Sequence, residues 1–103
     1  MFTAVFAYEV EPAMVDAFEA AYGPGGRWSA LFEGEPGYLG TELLADDERP
    51  GRYLVLDRWV SAATYAVFLR DRVAEYTALS DACAHLYLSE TRIGRFSSGM
   101  LPG

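Results

Sequence analysis

The sequence predicts an α+β fold in the order β-α-β-β-α-β, and three observations carry that expectation. Four short stretches, beginning near Phe2, Tyr38, Arg52 and Tyr87, read as strands. Two longer stretches, one after Pro12 and one after Ser61, repeat apolar residues at helical spacing. A polar run, Asp46-Asp47-Glu48-Arg49-Pro50-Gly51, separates the second and third strands as a hairpin loop should. At 103 residues the chain makes one domain with room for its own core.

The first strand spans Phe2 to Val10. Phe2, Ala4, Phe6, Tyr8 and Val10 share its more apolar face, opposite Thr3, Val5, Ala7 and Glu9. Pro12 suits a first helical turn, where its missing N–H costs nothing. Met14, Val15, Phe18, Ala21 and Tyr22 then form a stripe that Gly23 and Pro24 stop. The Gly-Pro-Gly-Gly run at 23–26 is read as a helix–helix turn. It lacks the preceding strand and the lysine of a phosphate loop. A short helix follows from Arg27 to Phe32. The second strand, Tyr38 to Ala45, is expected to place Leu39, Thr41, Leu43 and Ala45 on one face. The third, Arg52 to Val60, turns Leu54, Leu56 and Arg58 one way and Tyr53, Val55, Asp57 and Trp59 the other. Ser61 is an N-cap candidate. The helix behind it carries Tyr65, Phe68, Leu69, Val73, Tyr76 and Leu79 on its apolar side, with a candidate break at Ser80-Asp81. Tyr87 to Phe96 closes the sheet. The domain is placed at 1–96, and 97–103 is read as a flexible tail.

This order is the ferredoxin-like arrangement, a four-stranded antiparallel sheet with both long helices on one face. The other face is expected to carry Val55 and Trp59, too apolar to stay wet. A homodimer joined through the open sheet faces follows, with a cavity between sheet and helices in each subunit.

Composition narrows the chemistry. Fifteen acidic residues against eight arginines, a net charge of −7, argue against nucleic acid and against an anionic membrane surface. No apolar run nears the ~20 residues of a membrane span, and the N-terminus lacks the features of a signal peptide. The one cysteine, Cys83, can make no intrachain disulfide, so a cytoplasmic setting is expected. With no lysine, Schiff-base chemistry and a lysine-anchored pyridoxal cofactor are excluded. With one histidine, His85, a His-rich metal site cannot form within one chain. Asp57 is two residues from Trp59 on the same face. It is either a carboxylate of raised pKa, able to act as a base, or an ion-pair partner of Arg58, Arg92 or Arg95.

Three segments, EPGYLGTELL at 35–44, GRYLVLDRWVSAATYAVF at 51–68 and ETRIGRF at 90–96, resemble the antibiotic biosynthesis monooxygenase family of dimeric α/β barrels. The resemblance implies a cofactor-independent monooxygenase of a small aromatic or quinol-like substrate. It implies Trp59 as the residue holding the substrate ring and Tyr65, six residues on, as a hydrogen-bond donor to a substrate oxygen; the alternative reading of each is that it only packs the barrel. Where the polyketide-oxidising members have an asparagine, four residues before the tryptophan, this chain has Val55. It has no asparagine at all, and His85 does not map onto the haem ligand of the haem-degrading members. The resemblance is equally compatible with a non-catalytic barrel that binds a small apolar molecule.

Overall fold

The computed structural model describes residues 1–99; the expected tail at 97–103 falls outside the described residues from position 100 onward. The strands are β1 (Phe2–Glu9), β2 (Tyr38–Ala45), β3 (Arg52–Trp59) and β4 (Ser89–Ser97). They form one antiparallel sheet in the order β2-β3-β1-β4. The helices are α1 (Val15–Tyr22), α2 (Arg27–Phe32), α3 (Ala62–Asp71) and α4 (Val73–Cys83), with one-turn 3-10 pieces at Pro12–Met14 and Ala84–Leu86. The fold is the ferredoxin-like α+β arrangement. Among the described residues no helix is long and apolar enough to cross a membrane.

Local chemistry accounts for the junctions. The Ser61 hydroxyl accepts from the Thr64 N–H at 3.2 Å, while Thr64 accepts from the Ser61 N–H at 3.3 Å, so α3 starts on a reciprocal cap. In the β2–β3 loop the Asp46 carboxylate accepts from the Glu48 N–H at 2.8 Å, an Asx turn. Gly51 then takes φ 87°, and its carbonyl accepts from the Val10 N–H at 2.8 Å.

The helices cover the face of β3 that bears Tyr53, Val55, Asp57 and Trp59; all four are buried. That reverses the expectation that Val55 and Trp59 lie on the bare face. The rings of Phe18, Phe32, Tyr65 and Phe68 match the larger side chains of that face, and burying them there removes more apolar surface from water. The uncovered face holds Val5, Leu44, Leu54, Leu56 and Phe96, with Arg58 paired to Glu42 at 2.8 Å. It is still an apolar face, built from the smaller residues.

Two further expectations are corrected. The break in the second helical stretch falls at Arg72, not at Ser80-Asp81. Arg72 leaves the helical region (φ −117°, ψ 27°), and its guanidinium reaches Glu35 at 3.3 Å and Glu75 at 3.2 Å. The break shifts the phase of α4, so Val73 is 60% exposed while Tyr76 and Leu79 still face the core. In β2, Leu39 does not share a face with Thr41. Tyr38 pairs with Trp59 and Gly40 with Arg58, so Leu39 is the extra residue of a bulge and points to solvent.

Substituting Gly51 tests the hairpin. A β-carbon there would sit 2.5 Å from the Val10 carbonyl oxygen, on a backbone already in the left-handed region. Gly51→Ala is expected to lower stability by about 1–3 kcal/mol. Gly25→Ala, also at positive φ but with open space around it, is expected to cost less. Urea unfolding midpoints would compare them.

Candidate active site

Two aromatic clusters meet under the helices. Phe18 stacks on Tyr22 with ring centres 4.4 Å apart and packs against Tyr8 and Tyr53. At the other end Phe32, Tyr38, Tyr65 and Phe68 enclose Trp59 at 5.3–5.7 Å. Trp28 of α2 and Tyr76 of α4, 5.1 Å apart, bridge the two. Rings cannot fill the space between the clusters completely, and a cavity of about 140 Å³ remains. Phe6, Val55 and Asp57 line it from the sheet; Trp28, Phe32 and Tyr76 line it from the helices.

Asp57 is the buried carboxylate of this cavity, 6% exposed. Burial pushes its pKa up to about 6 from the ordinary 3.8, against the opposing effect of a hydrogen bond from Thr41. That bond is 2.8 Å, from the Thr41 hydroxyl to Oδ1. Among the described residues no arginine pairs with Asp57; Arg58 lies on the other face, on Glu42. Of the two readings the sequence leaves open for Asp57, the ion pair is therefore not the one adopted. At neutral pH Asp57 is a charged carboxylate with about a hundredfold more proton affinity than a solvated aspartate. At the rim the Tyr8 hydroxyl donates to Glu90 at 2.5 Å, and burial together with that carboxylate raises the Tyr8 pKa.

Trp59 and Tyr65 stand behind the cavity rather than in its lining. Trp59 is 0% exposed, aromatic rings pack around it, and its indole N–H is buried without a partner. Tyr65 packs on Phe2 at 5.3 Å and lies under the Arg95 guanidinium at 5.2 Å. Its hydroxyl lies beside that of Tyr76 with no hydrogen bond short enough to fix it, and burial raises its pKa. Val55 presents methyl groups to the cavity where the resemblance would place an amide. His85 is exposed on the one-turn helix at 84–86, outside the cavity, so no imidazole reaches the cavity to hold a haem iron. Cys83 is fully buried and its thiol pKa is pushed up by burial, as for a small apolar residue. Among the described residues no three His, Cys, Asp or Glu side chains converge as a metal site.

Sequence reasoning missed Thr41, Tyr38 and Tyr76. Thr41 stands opposite Asp57 only because β2 and β3 pair in that register. Tyr38 and Thr41 are three residues apart, which in a regular strand puts them on opposite faces. The Leu39 bulge, with Gly40 at φ 148°, brings both hydroxyls to the same side, 2.6 Å apart.

The sequence profile of the antibiotic biosynthesis monooxygenase family matches residues 1–77. The chain belongs to this family. No curated protein matches the sequence. Several solved structures share the fold. One is a protein of Deinococcus radiodurans described as a candidate antibiotic biosynthesis monooxygenase, with TM-score 0.76 and 15% identity over 100% of this chain and 97% of the other. A mutant of SnoaB, a cofactor-independent oxygenase from Streptomyces nogalater, superposes with TM-score 0.74 and 19% identity over 99% and 97% of the two chains. MhuD of Mycobacterium tuberculosis, a haem-degrader solved with two haems, gives TM-score 0.63 and 20% identity over the full length of both. At these identities the likeness is one of fold, and proteins of this fold carry more than one chemistry.

The raised pKa of Asp57 makes a stability prediction. A carboxyl that holds its proton more tightly when folded favours the native state fully below its unfolded pKa. That contribution, about 3 kcal/mol for a shift of this size, is lost as pH rises through about 6. Asp57→Asn, which stays neutral, is therefore expected to be more stable than the parent at pH 8 by about 1–3 kcal/mol. The gap should close toward pH 4. Thermal melts across that range check it; parallel melting curves would remove the buried charge from the account.

Proposed function

We propose that this protein is a monooxygenase that oxidises a small, flat aromatic or quinol-like molecule with molecular oxygen and without a cofactor. The observation that carries the reading is a buried carboxylate of raised basicity, Asp57, at the sheet side of a cavity walled by aromatic rings. Anthrone illustrates the reaction. Asp57 Oδ2 takes a proton from the ring methylene, leaving an electron-rich anion. That anion reduces oxygen directly and combines with it, and Asp57 returns the proton to give a hydroperoxide. Loss of the second methylene proton breaks the O–O bond and leaves a quinone and water. The methylene carbon supplies all the electrons, so the chemistry needs no flavin or metal. The protein contributes position, desolvation and a base matched to a weakly acidic substrate.

In this reading Tyr65, which stands behind the cavity lining, acts on the substrate oxygen through the Tyr76 hydroxyl in front of it. Trp59 acts through contact, holding the Tyr65 and Phe32 rings in place from behind. The working unit is a homodimer joined through the open sheet, where Val5, Leu54 and Leu56 of two copies meet face to face. A reducing cytoplasm suits its single buried cysteine. A second reading, a non-catalytic barrel for a small apolar molecule, is favoured by Val55, since methyl groups cannot polarise a substrate carbonyl.

Oxygen uptake with anthrone and simple quinols separates the two. Turnover without added metal or flavin is expected, and Asp57→Asn is expected to slow it by about 10²–10⁴-fold. Ligand binding with no oxygen consumed would favour the binding module instead. For the assembly, sedimentation at micromolar concentration is expected to give a dimer that Leu54→Glu dissociates; a parent that runs as a folded monomer would refute the paired sheets.

A further inference from the structure

Asp57 must be ionised before it can act as a base, and it has little water through which to reach that state. It is 6% exposed, and a substrate in the cavity would cover the side from which Oδ2 is reached. The other oxygen, Oδ1, is hydrogen-bonded to Thr41 of β2, the edge strand, and Thr41 is not among the side chains that line the cavity. There it meets a chain of hydroxyls. Thr41 has one proton to donate, and it goes to Asp57 Oδ1 at 2.8 Å. The 2.6 Å contact between Thr41 and Tyr38 must then be donated by Tyr38. Tyr38 is half-buried at the first residue of the edge strand, held between Phe32 and Trp59 with ring centres 5.3 Å from each.

We infer that Tyr38 and Thr41 form a proton relay that keeps Asp57 ionised and links it to water at the β2 edge while substrate fills the cavity. The inference rests on Asp57 being the base and adds two residues to that role. With Asp57 charged, the hydroxyls point inward and stabilise the carboxylate. With Oδ1 protonated, the chain reverses: Asp57 donates to Thr41, Thr41 to Tyr38, and Tyr38 gives its proton to water. Only O–H bonds break and form, one at each step, so no oxidant or further reactant is needed. The Leu39 bulge is what makes the chain possible, because it sets both hydroxyls on the carboxylate's side of the strand. Thr41 and Tyr38 are positioning residues, since both act through Asp57.

Other charged or titratable groups face the same space. Tyr65 of α3 and Tyr76 of α4 both sense the Asp57 charge. Arg92 and Arg95 of β4 and the Tyr8–Glu90 pair lie farther across the sheet, with Ala4 of β1 directly opposite Asp57. None of them is hydrogen-bonded to the carboxylate among the described residues; Thr41 alone is.

The test is a carbon-13 NMR titration of the Asp57 carboxyl in the full chain. Thr41→Val keeps the side-chain shape and removes the donor, and is expected to raise the Asp57 midpoint by about 0.5–1 unit. Tyr38→Phe is expected to raise it by less, because Thr41 still donates. In the double variant Tyr38→Phe should add nothing to the Thr41→Val shift, since Tyr38 acts only through Thr41. An unmoved midpoint in Thr41→Val, or a Tyr38→Phe shift that persists without Thr41, would overturn the relay. Oxygen uptake with anthrone supplies the second arm. The pH profile of Thr41→Val should move up by the same amount as its NMR midpoint, and Tyr38→Phe should lower kcat several-fold at unchanged KM. A Tyr38→Phe variant with full kcat would also overturn the relay. If the parent protein consumes no oxygen while the titrations follow the expected order, the oxidation fails and the hydroxyl chain stands.

Discussion

Taking one carboxylate out of water is the constraint around which the site is built. A buried charge is costly unless it is hydrogen-bonded, and Asp57 receives a single bond, from Thr41. One donor is enough to keep the group ionised near neutral pH and too little to cancel the desolvation. The result is a carboxylate at about pKa 6, in the range where a side chain can both take and return a proton. Additional donors would make it a weak base. Without that one donor its midpoint would move further toward neutrality.

The aromatic packing serves the same end. Trp59 is closed off at 0% exposure and lends rigidity to Phe32, Tyr38 and Tyr65, each of which reaches toward the site from a different element. Planar rings meeting at steep angles leave gaps that aliphatic side chains would fill. Phe32 meets Trp59 at 73°, and Trp28 meets Tyr76 at 65°. The cavity is therefore a consequence of an aromatic-rich interior, and burial of Asp57 within that interior is what moves its equilibrium. The open side of the sheet carries smaller apolar groups around the Arg58–Glu42 pair, a surface whose aliphatic centre is suited to a flat partner.

The legible part of this architecture came from periodicity. Tyr53, Val55, Asp57 and Trp59 alternate with Leu54, Leu56 and Arg58, and the structure keeps that division of β3 intact. Which of the two sets is covered could not be read, because both are apolar. The choice was made by the ring stripes of α1 and α3, and which set they cover shows only once the helices are docked. The Arg72 break was hidden for a related reason. Nothing in its own identity ends a helix, and its contact to Glu35 depends on α3 having already packed beside the segment before β2.

By itself the sequence determined the element order, the Ser61 cap, the hairpin at 46–51, the family and the presence of a carboxylate among rings, since each rests on neighbours a few residues apart. The tertiary structure alone decided which sheet face is buried, where the cavity falls and which side chains touch Asp57. Those depend on strand register, on the one-residue Leu39 bulge and on helix docking. A single inserted residue reverses every side chain beyond it, and that event leaves no periodic mark that could be read before the strands pair.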